Sequence, residues 1–246
     1  MDYAKPPIVE AVLELRLREP IDINTVEKIA GKFTTAYPVA ENEVTLKVEF
    51  SGDGGTSKRA PELTGKKLST LDRTDIVAVR TSAFACIRLA PYSGWDEFVA
   101  RAADGWTKFC SVAGRQVVSR IGVRNINRID IPQPRSAAQP TLRIQDYLNC
   151  YVLSPDLSWG PMSDYVIQMR RPYEQDTLHV NLISGTAESP LVGFRSLLLD
   201  IDLSADNLSL VRDEDIWALV HQMHKHKNDI FEACITEKAR ELFNVR

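Results

Sequence analysis

No stretch of this chain approaches the ~18 consecutive apolar residues that a membrane-spanning helix needs. The opening residues carry Glu10 and Glu14 where a secretory leader would have an unbroken apolar core. A cytoplasmic protein without membrane association is expected. Cysteine is scarce, and Cys86, Cys110, Cys150 and Cys234 form neither a C-x-x-C pair nor a zinc-ribbon spacing. They point to reduced thiols rather than a disulfide framework or zinc site. Positive charge is not in excess. With 30 Lys and Arg against 33 Asp and Glu, the net charge is -3, which argues against a dedicated nucleic-acid binder.

Catalytic signatures are missing as well. There is no G-x-S-x-G elbow, kinase set or dinucleotide glycine fingerprint, so an enzyme of a common class is disfavoured and no cofactor is expected. Gly52-Asp53-Gly54-Gly55 lacks the G-K-[ST] ending of a phosphate loop. His221, His224 and His226 have no acidic residue at metalloprotease spacing, and Lys225 and Lys227 beside them would repel a cation. That run reads as a basic, solvated helix face.

What the sequence does contain is one long alternating stretch, Gln116 to Pro132. Val117, Ser119, Ile121, Val123, Asn125, Asn127, Ile129 and Ile131 share one face; Arg120, Gly122, Arg124, Ile126, Arg128 and Asp130 share the other. Period-2 placement over this length predicts a single strand. Around it the patterns predict strands at Val9–Arg18, Glu43–Phe50, Ile76–Thr81, Phe84–Leu89, Asp164–Arg171, Thr177–Ile183 and Arg195–Leu203. Helices are predicted from an Asn24 cap to Pro38, over Asp96–Val112, over Ile144–Cys150, and from an Asp213 cap to Phe243. Residues 51–70, rich in Gly, Ser, Thr and Lys, read as a surface loop, as do Ser154–Ser163. The order strand, helix, strand, strand, strand, helix then occurs twice, in halves of about 1–114 and 115–246. An α+β fold follows: one compact unit with a largely antiparallel sheet and helices on one face.

The candidate site is the charged outer face, with Arg120, Arg124 and Arg128 beside Glu10 and Glu14. Arginines four apart lie roughly 13 Å apart along a strand, so they line a surface rather than pinch one small anion. Such a face is either a ladder of cross-strand ion pairs or a cleft for a phosphorylated or carboxylated ligand. In the cleft, Arg124 would be partly buried beside Glu10, Glu14, Asp200 or Asp202. Asn125 and Asn127 fall on the apolar face, which demands either a bulge at Gly122 or a buried amide network, with a ligand-orienting role as the functional version. The closing helix carries Ile216, Trp217, Val220, Met223, Ile230, Phe231, Cys234 and Leu242, more apolar positions than one sheet face needs, so a homo-oligomer, most simply a homodimer, is expected.

Three segments, P-P-I-V-E-A-V near the start, I-G-V-R-N-I-N-R-I at Ile121–Ile129 and I-F-E-A-C-I-T-E-K-A-R-E-L-F at Ile230–Phe243, together with Gly94-Trp95-Asp96-Glu97-Phe98, carry a family resemblance. The chain resembles a sporadically distributed, functionally uncharacterised family of prokaryotic proteins of about this length. The resemblance implies no reaction and no catalytic residues. A patchy distribution implies horizontal transfer, and with it a defence or toxin-antitoxin type association. Two functions are then in view: a non-catalytic protein that engages a partner protein through the open sheet face and the 51–70 segment, or a binder of, or enzyme acting on, an anionic small molecule or nucleotide in the arginine-lined cleft.

Overall fold

The computed structural model describes residues 3–49, 58–133, 142–151, 164–173 and 178–244. Gly52-Asp53-Gly54-Gly55, with the first part of the expected 51–70 loop, and the Ser154–Ser163 loop lie outside them. In chain order the elements are β1 (Ile8–Leu17), α1 (Ile23–Gly31), β2 (Val39–Glu49), β3 (Lys58–Ser69), β4 (Asp75–Arg80), β5 (Ala83–Leu89), α2 (Trp95–Ala113), β6 (Val118–Pro132), a 3-10 turn at Ile144–Asp146, β7 (Val166–Tyr173), β8 (Leu178–Ala187), β9 (Phe194–Ala205), α3 (Asp213–Cys234) and α4 (Glu237–Asn244). This is an α+β protein with a fully antiparallel nine-stranded sheet.

The strand order is β2-β3-β4-β5-β1-β6-β9-β8-β7. The first strand of each half, β1 and β6, meet at the centre, and the later strands of each half run outward from them. β6 carries the join between the halves: β1 pairs along residues 118–127 on one edge and β9 along 121–132 on the other. Its inner side chains Ile121, Val123, Ile129 and Ile131 are buried against the helices, as alternation requires.

The interior divides into two apolar clusters. Leu13, Leu15, Phe84, Ile121 and Val123 pack with α1, α2 and the first half of α3 (Ile216, Val220, Met223). Ile129, Ile131, Leu197, Leu199 and Ile201 pack with Ala239 and Phe243 of α4. Among the described residues, α1 to α4 therefore cover the same sheet face. Along β6 the boundary between the clusters is occupied by Asn125 and Asn127, both nearly fully buried. The β1–β6 register shifts near Ile8 and Glu10 and stays regular through Gly122, so a buried network, not a bulge at Gly122, accommodates the amides.

Several boundaries differ from expectation for identifiable reasons. Residues 58–69 form β3 rather than a loop, because pairing to β2 along the whole strand and to β4 at Gly65–Ser69 outweighs its weak strand propensity. Gly65 belongs there sterically: a Cβ would sit 2.8 Å from the Val79 carbonyl. The cap of α1 is Asp22, not Asn24, since the Thr25 N–H donates to Asp22 Oδ1 at 3.0 Å. The predicted Ile144–Cys150 helix contracts to a 3-10 turn. At α3, Arg212 holds the cap position, and Asp213 accepts from Trp106 Nε1 at 3.1 Å. The long closing helix breaks at Ile235, whose extended backbone (φ -106°, ψ 152°) bridges Leu148; Thr236 then starts α4, its hydroxyl accepting from the Ala239 N–H.

Candidate functional site

The seven residues expected at a site split between the two faces of β6. Arg120, Arg124 and Arg128 lie on the open face with Glu10 and Glu14 of β1, whereas Asn125 and Asn127 point into the helix layer. On the open face every β6 arginine has a carboxylate. Arg124 reaches diagonally across to β9 and forks onto Asp200, with Nε at 2.8 Å from Oδ1. Arg120 bonds Glu14 at 3.2 Å and Asp206 at 3.1 Å, and Arg128 bonds Asp130 at 3.0 Å. Glu14 also meets Arg16 and Arg80. Burial holds the Asp202 carboxyl above the ordinary carboxylate range, against the pull of Arg120 and Arg124. This is the geometry of an ion-pair ladder, with the arginine forks already filled. A hollow of about 280 Å³ beside Arg120, Arg170, His179 and Asp202 is the open-face concavity.

On the helix side, a larger cavity of about 390 Å³ opens where the two apolar clusters meet. Its floor is Asn125, Asn127 and Ile201 of the sheet. One wall is α3, with His224, Lys227, Asn228, Phe231 and Glu232; another is the turn from β5 into α2, with Tyr92, Ser93, Gly94 and Trp95. The N-terminal segment Tyr3–Ile8 closes the third side. That segment is held by backbone bonds from Lys5 N to Phe243 O and from Arg128 N to Pro7 O, both 2.9 Å. Gly94, at φ +113°, makes a turn that a side chain would strain.

Lys227 dominates this cavity. It is only 3% exposed, and among the described residues no carboxylate pairs with it. Its Nζ donates to Asn228 Oδ1 at 3.0 Å and, with the Asn125 amide in the orientation that satisfies both its ends, to Asn125 Oδ1 at 2.8 Å. The Asn125 nitrogen then donates to the Arg124 carbonyl at 2.9 Å, and Asn127 Nδ2 donates to Leu199 O at the same distance. Asn228 passes the chain on to His224 Nε2 at 3.1 Å. With Asn228 Oδ1 occupied by the lysine, its nitrogen is the donor, which leaves the proton of neutral His224 on Nδ1. His224 lies flat on Trp95 with ring centroids 3.8 Å apart, and Trp95 Nε1 donates to His221 Nδ1 at 3.2 Å. Across the cavity, Tyr3 donates to Glu232 at 2.7 Å, and Arg240 neutralises that carboxylate at 3.0 Å.

Burial alone pushes the Lys227 ammonium down to about 7. Burial, then Lys227 and then His221, bring His224 down to about 3, so the imidazole is neutral at ordinary pH. Burial and the bond to Glu232 raise Tyr3 to about 12. The basic run 221–227 is therefore not a uniformly solvated helix face. Its missed signal was helical spacing: Lys227 follows Ile216, Val220 and Met223 at steps of four, three and four on the buried stripe. The Asn pair and Lys227 are matching polar interruptions in two apolar faces that pack on each other.

Two outcomes are expected. Arg124→Ala strands the buried Asp200 carboxylate, lowering stability by about 1–3 kcal/mol. The Arg124→Met/Asp200→Leu pair recovers part of that loss in urea denaturation. For Lys227 the folded pKa lies below the unfolded one, so the unfolded chain binds more protons between about 7 and 10.5, and stability rises with pH across that window. Relative to the parent, Lys227→Met should therefore gain at pH 6 and lose that gain by pH 10, a swing of about 2–4 kcal/mol in urea titrations.

No family model matches the chain, and no curated protein matches it.

Proposed function

We propose that the chain binds a small anionic molecule in the helix-side cavity, with Lys227 as the charge-recognising group. The observation that carries this is a buried amine whose hydrogen-bond partners are two neutral amide oxygens, in a cavity large enough for a small ligand. An ammonium has three donors, and two are engaged, which leaves one for a ligand in the cavity that Lys227 lines. A buried cation without a counter-charge is unfavourable by several kcal/mol, and an arriving carboxylate removes that penalty. The cavity wall also contains the start of α2 at Ser93, Gly94 and Trp95, where Gly94 supplies no side-chain cap and the first-turn carboxylates Asp96 and Glu97 do not line the cavity. Tyr92, Trp95 and Phe231 offer apolar surface to the rest of the ligand.

Binding should be proton-linked. At pH 8 an anion draws about one proton onto Lys227, whereas at pH 6 the amine is already charged and uptake vanishes. The other titratable groups sharing the cavity are His224, Tyr3, Tyr92 and Glu232. Calorimetry with benzoate, which has no carbonyl carbon open to the amine, in buffers of different ionisation enthalpy reads this uptake directly. Lys227→Met should weaken binding about 10–100-fold. Absence of benzoate binding, or benzoate binding without proton uptake at pH 8, would defeat the reading.

A second reading, engagement of a partner protein, draws on the β7 edge. Val166 is 72% exposed and Met169 40%, and among the described residues no strand pairs with the outer side of β7. Such an edge accepts an added strand from a partner, whether a defence-system component or a second copy forming the expected homodimer. Replacing both residues with lysine should then abolish co-purification of a stoichiometric protein, or convert a dimer to a monomer in sedimentation. An unchanged profile counts against it.

A further inference from the structure

The hydrogen-bonding around Lys227 suits the neutral amine as well as the ammonium. A neutral primary amine has two N–H bonds and one lone pair, and here two acceptors are present, Asn125 Oδ1 at 2.8 Å and Asn228 Oδ1 at 3.0 Å. Both acceptors are themselves held in orientation, Asn125 by the Arg124 carbonyl and Asn228 by His224 Nε2. Two fixed acceptors aim the two N–H bonds, and the lone pair takes the remaining tetrahedral direction. A lysine kept for structure alone would ordinarily be paired with a carboxylate or carry its charge to solvent. This one does neither.

We infer that Lys227 captures carbonyl compounds, condensing with the carbonyl carbon of a small oxo acid admitted to the cavity to form an imine. The inference rests on the anion-binding reading above and narrows its ligand class. The nitrogen lone pair attacks the carbonyl carbon, forming the C–N bond. The resulting carbinolamine expels its oxygen as water, which carries away both amine protons. No oxidant or reductant is consumed. An amine that is substantially unprotonated near neutrality is what this step needs, and desolvation supplies it. The carboxylate of the oxo acid is left to the backbone at Ser93, Gly94 and Trp95, which line the same cavity, whereas the first-turn Asp96 and Glu97 do not line it. The neighbouring His224, flat against Trp95 and uncharged, adds no second cation to hold the carboxylate away from that position.

Reductive trapping tests this on the full chain. The protein is incubated at pH 7.5 with 2-oxobutanoate or with butanal, each with cyanoborohydride, and modified lysines are mapped by peptide mass spectrometry. With 2-oxobutanoate, Lys227 should be alkylated at least tenfold faster than the exposed Lys28 and Lys225. With butanal that preference should shrink, because the aldehyde has no carboxylate to place. Benzoate in excess should slow trapping at Lys227 and leave Lys28 unchanged. The wild-type map alone decides the matter, so Lys227→Met, in which the site signal must vanish, is a control and not the sole arm. Modification of Lys227 no faster than Lys28 overturns the inference. If benzoate still binds with Lys227-dependent proton uptake, only the carbonyl chemistry falls; if uptake is also absent, the anion-binding reading falls with it.

Discussion

A buried amine has to be hydrogen-bonded wherever the chain places it, and the middle of this molecule is arranged around meeting that demand. Lys227 sits where two apolar clusters meet, and amides satisfy it from both sides: Asn125 from the sheet and Asn228 from its own helix. Both asparagines are in turn satisfied, so the network extends from the Arg124 carbonyl through the lysine to His224 and the Trp95 ring. Because it joins β6, α3 and the start of α2, it ties the layers together at the point where apolar packing is interrupted. A network of this kind specifies one arrangement when complete and destabilises when broken.

The two faces of β6 answer opposite electrostatic problems with the same pleat. Outward-facing arginines meet carboxylates in a half-solvated setting, where each pair contributes modestly and the forks are occupied. The inward amides and the facing lysine sit in a buried setting, where one uncompensated charge outweighs several surface pairs. The open face carries more charge, but on the helix side Lys227 is buried with no carboxylate paired to it among the described residues. That difference is why the proposed site is placed in the cavity. Tyr3, Pro6 and Pro7 are also put to use: pinned by Phe243 and Arg128 backbone groups, they wall a cavity that would otherwise be a groove.

Period-2 alternation marked β6, β1 and β9 and their inward sets, because side chains on a half-buried strand report burial directly. It also marked Asn125 and Asn127 as misplaced. What escaped were features in which pairing overrides composition: β3, whose Gly, Thr and Lys content suits a loop until β2 and β4 flank it, and the break at Ile235, which a bridge to Leu148 imposes from another part of the chain.

The sequence alone, then, determined the α+β class, the central strand, the division of its faces and the anomalous amides, since each is a local periodicity. Only the tertiary structure decided that Arg124 is matched to Asp200, that β1 and β6 lie side by side, and that Lys227, 100 residues from Asn127, faces the amides. Charge type is written in the residue, but whether a charge is solvated, paired or isolated depends on what the fold packs against it. For Lys227, Coulomb and desolvation energies are set by neighbours that the linear order of residues does not name.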